Sequence, residues 1–223
     1  MRLTFRDARP DDAAKTAELI YSAGPETIAY AFATSRHRPI DFIRTTFANG
    51  SGVIGYKNHR VALVDGRIAG IGAFYNADRF DRLSREMVWQ VFRFYGIFKS
   101  WGVLKRAGRL ATIMPPPPQN VLFVQNVAVD AGMRGRGVCT ALFEERIGAA
   151  RSEGTRLCVL DVAADNTRAR KLYEKLGFQA AEKRNWPYSD GSGVVPDHVR
   201  MVLPLQGNAE YRDRLLVNGG MVG

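Results

Sequence analysis

Residues 121–162 contain the feature that most constrains the fold. A nearly continuous apolar run, VLFVQNVAV, covers 121–129, and a glycine-punctuated basic turn and an amphipathic segment follow it. A second apolar run, RLCVLDV, covers 156–162. Such runs are typical of strands at the centre of a sheet, and the segment between them has helical character. The sequence therefore predicts a strand–turn–helix–strand unit within a mixed α/β domain.

The turn before the predicted helix has the character of an anion-binding site. It contains Gly135 and Gly137, each preceded by an arginine. The first backbone N–H groups of a helix have no intrahelical partner, and the helix dipole adds partial positive charge there. Glycines let a ligand approach the backbone, so a pyrophosphate group fits best. A Walker A loop is absent, and the Rossmann fingerprint would need glycine where Thr140 stands.

The remaining segments also alternate between strands and helices. Strands are expected at 2–8, 60–64, 67–75, 178–181 and 198–203, and helices at 13–21, 28–33, 39–48, 137–152 and 167–176. Asp65-Gly66 predicts a tight hairpin turn, and Asn166 is a candidate helix N-cap. The inward-facing residues predicted for the helix at 137–152 include Leu142, Ile147 and Ala150. We find no second domain.

Residues 78–112 are expected to be helical and carry many aromatic side chains. One predicted apolar stripe comprises Val88, Val91, Phe92, Tyr95 and Phe98, and a second face carries Phe94, Ile97 and Trp101. Pro115–Pro118 cannot continue a helix and predict a stiff loop.

Composition excludes several classes of protein. No apolar run approaches the roughly 18–20 residues that a membrane span needs, and the first residues lack the apolar core of a signal peptide. Cys139 and Cys158 are too few for a disulfide scaffold, so both are expected as reduced thiols in a cytoplasmic protein. The net charge of +10 favours encounters with anions without choosing among nucleic acid, lipid and a phosphorylated ligand.

Three segments form a recognisable set of motifs. Residues 134–139, RGRGVC, fit the pattern Arg/Gln-x-x-Gly-x-Gly/Ala except that Cys139 takes the last position. VQNVAV at 124–129 precedes that pattern, and LDVAADNTRARKLYEKLGF at 160–178 follows it. Together they resemble the GNAT superfamily of acetyl-CoA-dependent N-acetyltransferases. The resemblance is close over 121–203.

The resemblance implies an α+β fold with a central, twisted, mostly antiparallel sheet flanked by helices. It extends over residues 1–75 but not over 78–118, which are expected to form a helical insertion. We expect a single N-acetyltransferase domain over 1–205 and a C-terminal tail over 206–223. In this family two neighbouring strands, here 121–130 and 156–162, splay apart, and the pantetheine arm lies in the gap.

The resemblance also assigns roles to individual residues. Loop N–H groups are expected to hold the pyrophosphate, backbone N–H groups of the central strand to polarise the thioester carbonyl, and Asn166 to bond the pantetheine or a loop carbonyl. The cofactor-binding residues implied are Val127, Ala128, Val129, Arg134, Gly135, Arg136, Gly137, Val138, Cys139, Thr140, Asn166 and Tyr173. Tyr173 occupies the position of the general acid, and its ordinary pKa near 10 suits proton transfer to a thiolate. The alternative for Tyr173 is core packing, and for Asn166 a helix cap.

The sequence does not identify a general base. Asp161 is a candidate if its side chain faces the cleft, with a capping or salt-bridge role as the alternative. His198 is a second candidate, and a water relay or an amine that arrives neutral would need no base. Cys139 could be read as a nucleophile because helix N-termini lower thiol pKa values, but no histidine partner is apparent. No metal is expected.

Two segments have open interpretations. Residues 89–108 could form a lid over the acceptor site, a dimer interface or a membrane-surface helix. Trp186–Tyr188 and the Gly191–Gly193 loop could contact the acceptor or form an ordinary hairpin loop. We expect a possible homodimer, no nucleic acid partner and no membrane contact.

Two classes of function are compatible with these residues. The first is an acetyltransferase that moves an acetyl group from acetyl-CoA to a primary amine of a small molecule, amino acid or protein, by direct attack in a ternary complex. The second is a CoA-binding module without turnover. Tyr173 favours the first, whereas Cys139 and the unidentified base leave the second open.

Overall fold

A computed structural model describes residues 1–188 and 195–206. Within these residues the chain forms one seven-stranded sheet. The strands are β1 (Leu3–Asp7), β2 (His59–Val64), β3 (Arg67–Asn76), β4 (Val121–Val129), β5 (Leu157–Ala163), β6 (Gln179–Arg184) and β7 (His198–Pro204). Their order across the sheet is β1-β2-β3-β4-β5-β7-β6.

The sheet is mostly antiparallel, as expected from the resemblance. Its one parallel pairing in the described chain joins β4 to β5. A helix over Val138–Ser152 connects the end of β4 to the start of β5, so the two strands run in the same direction. The hairpin between β2 and β3 is confirmed, and Asp65 and Gly66 both have the positive φ that a primed turn requires.

Helices cover both faces of the sheet. They are α1 (Ala13–Ala23), α2 (Pro25–Phe32), α3 (Pro39–Asn49), α4 (Phe80–Leu110), α5 (Val138–Ser152) and α6 (Thr167–Lys175). On one face, Leu142 and Phe143 of α5 and Tyr173 of α6 pack with Leu122 and Leu160 of the central strands. On the other, α1, α3 and α4 pack against a separate core that includes Val61 and Ile71. Leu142, Ile147 and Ala150 are buried as predicted.

The apolar stripes predicted for α4 are wrong in part. The helix is interrupted at Gly96, whose φ of 73° and ψ of 167° are not helical. Residues spaced by helical periodicity across this break therefore do not share a face. Val91 and Tyr95 are buried as the first stripe requires, whereas Phe98 is 95% exposed. Phe94 of the second face packs on Phe42 and Tyr95, whereas Ile97 and Trp101 of the same predicted face are exposed.

No described helix combines the length and the apolar character that crossing a bilayer requires.

Candidate active site

The central feature of the site is a gap between β4 and β5. Val121–Val124 pair with Leu157–Leu160, and the pairing between these two strands stops there. Beyond this point β5 continues to Ala163 only on its β7 side. The gap contains a cavity of about 160 Å³ lined by Gln125, Asn126 and Val127 from β4 and by residues 160–163 of β5. The splayed strands expected from the resemblance are present.

A β-bulge in β4 lies beside this cavity. Ile71 pairs with Ala128 and Ala73 with Gln125, so two residues of β4, Asn126 and Val127, lie opposite Gly72 alone. Asn126 has a φ of 54°, which is uncommon for a residue with a side chain. The bulge changes the direction of the β4 backbone just after the point where its pairing with β5 ends.

The backbone of β4 next to the bulge offers an N–H group to the gap. The N–H of Asp130 donates to the Ala69 carbonyl of β3 at 2.8 Å. N–H groups alternate between the two edges of a strand, so the N–H of Val129 points toward the gap. Of the predicted residues Val127, Ala128 and Val129, Val127 lines the cavity, and this alternation puts the N–H of Val129 on the same side of β4 as the gap.

The predicted anion-binding loop lies at the end of β4. Arg134, Gly135, Arg136 and Gly137 are exposed, and both glycines have positive φ, as the turn requires. A Cβ at Gly137 would meet no heavy atom within 4 Å. No side chain of the described residues caps α5, and the first intrahelical N–H bond runs from Ala141 to the Gly137 carbonyl. The N–H groups of residues 138–140 are therefore available to an anion.

Cys139 is half-buried in the first turn of α5. Burial raises the pKa of its thiol to about 12, so the group is a protonated thiol near neutral pH. The structure does not support Cys139 as a nucleophile.

Tyr173 and Asn166 both line the cavity from α6. The ring of Tyr173 packs on Phe143 and Phe178, at centroid distances of 5.5 and 5.9 Å. Burial raises the pKa of the phenol above its usual value, so the hydroxyl keeps its proton but is a weaker acid than the ordinary value near 10 implies. The Asn166 side chain accepts a hydrogen bond from the Ala169 N–H at 3.1 Å, which is the capping role, and its amide nitrogen stays available.

Asp161 lines the cavity, and its carboxylate is held in a salt bridge, which is the alternative that the sequence left open for this candidate base. Arg200 of β7 donates from Nε and a terminal nitrogen to the two carboxylate oxygens, at 2.9 and 2.7 Å. Only 4% of the Asp161 side chain is exposed. The same guanidinium donates to the carbonyls of Pro115 and Pro116, at 2.6 and 3.4 Å. Asp161 thus has the salt-bridge role and fastens the polyproline segment.

His198 is the residue of the cavity wall best suited to accept a proton. Its Nδ1 lies 2.9 Å from the Pro196 carbonyl, which assigns the ring proton to Nδ1 and leaves Nε2 as an acceptor. No other described residue bonds Nε2. Burial lowers the pKa of His198 below its usual value, so the ring is neutral at neutral pH.

His59 is a site residue that the sequence analysis missed. Its Nδ1 donates to the Gly55 carbonyl at 3.0 Å, and Nε2 accepts from the amide of Asn126 at 3.3 Å. Complete burial lowers the pKa of His59 to about 4, so the ring is neutral and holds the Asn126 side chain at the bulge. His59 belongs to no motif, and its partner is 67 residues away.

Another part of the cavity wall is formed by segments distant in sequence. Ile28 of α2 and Met114 close it opposite α6. Trp186 packs edge-on against Tyr30 at 5.1 Å, and Arg109 lies over the Tyr188 ring at 4.7 Å. Residues Gly191–Gly193 lie outside the described residues. None of residues 89–108 lines the cavity, so the structure does not support a lid made of this aromatic segment.

Among the described residues no group of three or more metal-binding side chains is close enough to hold an ion.

Comparison with known proteins places these features in a family. The family model described as acetyltransferase (GNAT) family matches residues 28–178, more than half of the chain. The [Ribosomal protein bS18]-alanine N-acetyltransferase of Escherichia coli (strain K12) is 38% identical over 82 residues, which are 36% of this chain and 53% of that protein. The chain spans between 28% and 53% of the length of the curated relatives it matches.

Solved structures show the same fold. An N-acetyltransferase from Staphylococcus aureus Mu50 superposes with a TM-score of 0.65 at 19% identity, covering 90% of this chain and all of the other. YncA, a putative acetyltransferase from Salmonella typhimurium solved with its cofactor acetyl-CoA, superposes with a TM-score of 0.53 at 16% identity, covering 93% of this chain and 96% of the other.

Proposed function

Because the chain belongs to the GNAT family of acetyltransferases, we propose that it transfers an acetyl group from acetyl-CoA to a primary amine. Reaction occurs by direct attack of the amine in a ternary complex. The acceptor is a small molecule, an amino acid or a protein amino group. The observation that carries the proposal is the gap between β4 and β5 with Tyr173 on its wall, together with the open loop at 134–137 that follows the end of β4.

The residues present fit acetyl-CoA. The unpaired N–H groups of residues 138–140 and the exposed arginines 134 and 136 would hold the pyrophosphate. The Val129 edge of β4 would bond the pantetheine arm in place of the missing strand pairing. The thioester, when bound, supplies an acyl group that an amine can attack.

The chain's own residues can move the protons of this reaction. Nε2 of His198 is the acceptor for the proton of the attacking amine, directly or through one water molecule. The Tyr173 hydroxyl donates a proton to the leaving thiolate. Holding both reactants in one narrow gap supplies a further part of the acceleration.

Thermal unfolding with acetyl-CoA, free CoA and ATP tests the binding step. At about a hundredfold excess over its Kd a ligand stabilises the fold by roughly 2.7 kcal/mol, which is easily seen. We expect acetyl-CoA and CoA, but not ATP, to raise the Tm. Gly137→Ala strains the loop that approaches the pyrophosphate, so it should remove most of the rise.

Gly154→Ala is the matched control. Gly154 follows the other end of α5, has the same φ of 79° as Gly137, and has equally open surroundings. Both substitutions carry a similar backbone cost, but only the one at Gly137 touches the proposed loop. Loss of the ligand response in both variants, or no response of the unsubstituted protein at millimolar acetyl-CoA, contradicts the proposal.

A CoA-binding module without turnover is the second candidate. It is favoured by the Arg200 contacts that occupy both oxygens of Asp161 and leave no free carboxylate among the described residues of the cavity wall. A panel of primary amines with acetyl-CoA separates the two candidates, because only the enzyme releases CoA in step with acceptor. A thermal response to acetyl-CoA without release of CoA across the panel would favour the module.

A further inference from the structure

An exposed aromatic surface surrounds the break in α4. We call it the aromatic corner, and it consists of the exposed Trp89, Ile97, Phe98 and Trp101 with the half-buried Phe92. Phe98 is 95% exposed, Trp89 75%, Ile97 68% and Trp101 67%. Large apolar side chains exposed together in this way are uncommon on soluble monomers and mark interaction sites. None of the five lines the active-site cavity.

The corner is a defined projection and not a frayed end. Gly96 interrupts the helix, and the ring of Phe92 before the break meets that of Trp101 after it, edge to face at 6.2 Å. The base of the corner is anchored, because Val91, Tyr95 and Val103 are buried and the Tyr95 hydroxyl donates to the Phe32 carbonyl at 2.7 Å. The exposed side chains are thus presented outward from a packed helix.

The charge around the corner has one sign. The sequence from Val88 to Leu110 contains five basic residues and no acidic one. Arg106 turns inward to the carbonyls of Tyr30, Ala31 and Ala33, and Arg109 lies over Tyr188. Arg93, Lys99 and Lys105 make no ion pair with any described carboxylate. Arg93 lies one turn from Trp89, and Lys105 one turn from Trp101, so these cations flank the aromatic rings.

We propose that the aromatic corner binds the surface of an anionic lipid bilayer, with Phe98 and Ile97 inserted at the headgroup–acyl boundary and the flanking cations on the lipid phosphates. Exposed aromatic and aliphatic side chains next to unpaired Lys and Arg are the combination that such surfaces attract. This inference revises the expectation of no membrane contact. It concerns attachment at the surface, and it is independent of the acetyltransferase proposal.

Charge also decides between a bilayer and a second copy of the chain. A twofold dimer brings the same patch of each copy together, so the cations Arg93, Lys99 and Lys105 of one copy would face the cationic patch of the other. Like charges at such an interface cost free energy, whereas lipid phosphates neutralise them. Nucleic acid fits less well, because the most exposed residue projects from a convex corner instead of forming a flat stacking platform.

Co-sedimentation of the full chain with large unilamellar vesicles tests the proposal. One set of vesicles is phosphatidylcholine alone and the other contains about one third phosphatidylglycerol. We expect the chain to sediment with the anionic vesicles at low salt, to be released by high salt, and to bind phosphatidylcholine poorly. Its tryptophan emission should shift to shorter wavelength on binding, because Trp89 and Trp101 leave water.

Three variants locate the contact: one double substitution of the inserted residues and two matched charge reversals. Ile97→Ser/Phe98→Ser removes the inserted groups from exposed positions, so the fold is retained, and the partition coefficient should fall at least about tenfold. Arg93→Glu should lower the partition coefficient several-fold. Arg151→Glu is the control, because it makes the same charge change on α5, on the opposite face of the sheet. The Arg151→Glu variant should bind the vesicles at least several-fold more tightly than Arg93→Glu.

Three results would overturn the inference. The first is no association with anionic vesicles at low salt. The second is equal binding by the unsubstituted chain and Ile97→Ser/Phe98→Ser. The third is a dimer in light scattering that this double variant converts to a monomer, which would assign the corner to a second copy.

Discussion

The Tyr173 hydroxyl tests the proton-donating half of the proposed chemistry. Tyr173→Phe keeps the ring contacts with Phe143 and Phe178 and removes only the donor. We expect kcat to fall at least about a hundredfold, since positioned general acids contribute in that range, with little change in the Tm rise produced by acetyl-CoA. Steady-state kinetics and thermal unfolding of the same preparation measure both effects.

Tyr95→Phe is the control for loss of a buried hydroxyl. Tyr95 is buried and donates a hydrogen bond to Phe32, but it does not line the cavity. This variant should lose stability without the large loss of kcat. An unchanged kcat in Tyr173→Phe would return Tyr173 to core packing.

His198 connects the proposal to pH. Since burial holds the pKa of His198 below its ordinary value of 6.5, the neutral base is the main form at pH 7. The part of kcat/KM that depends on His198 should therefore increase with pH below about 6.5, as the ring loses its proton, and stay constant above that pH. In His198→Gln this acidic limb should be absent and kcat/KM at pH 7 at least about a hundredfold lower.

The ionisation of the acceptor amine serves as an internal reference. It gives a separate limb at higher pH that both proteins should share, because it belongs to the substrate. His37→Gln is the matched histidine control, since His37 packs on Phe94 and Tyr95 away from the cavity. An acidic limb that survives in His198→Gln would assign the base to another group or to water.

Among elements, the sequence predicted α5 and misjudged α4 for the same physical reason. Periodicity assumes an unbroken helix, which holds over Val138–Ser152, so the inward positions were correct. Gly96 interrupts α4, and every stripe drawn across it mixes residues of two differently oriented segments. A glycine inside an apolar periodic run does not by itself predict a helix break, because a helix can contain glycine with a loss of stability of about 1 kcal/mol relative to alanine.

Sequence could predict the local features of the site but not the contacts between segments that are far apart in the chain. The loop, the cap at Asn166 and the position of Tyr173 are local features; the structure has Asn166 and Tyr173 on the cavity wall and the loop between the end of β4 and α5. The role of Asp161 was open because its partner, Arg200, is 39 residues away and on another strand. His59 and Met114 reach the site only through the sheet order and the path of the polyproline segment, which no local pattern encodes.

At the scale of the whole molecule, Arg200 joins three distant parts of the chain. It holds β5 through Asp161 and the polyproline segment through two carbonyls, next to Met114 on the cavity wall. Arg200→Gln leaves the buried Asp161 carboxylate without its main partner, so we expect a loss of about 3 kcal/mol in unfolding free energy. Because the wall near Met114 is loosened, KM for the acceptor should rise more than the Kd for acetyl-CoA.

A double-mutant cycle shows whether an uncompensated charge causes that loss. Arg200→Gln/Asp161→Asn removes both charges, so it should be more stable than Arg200→Gln alone. Arg38→Gln is the exposed control, since Arg38 makes the same two-bond contact with Asp41 at 2.9 and 3.0 Å but is 76% exposed, and its loss should have little effect. Chemical denaturation of five proteins gives the comparison: the unsubstituted chain, Arg200→Gln, Asp161→Asn, the double variant and Arg38→Gln. If Arg200→Gln is as stable as Arg38→Gln, the polyproline wall is held by packing and not by the Asp161–Arg200 pair.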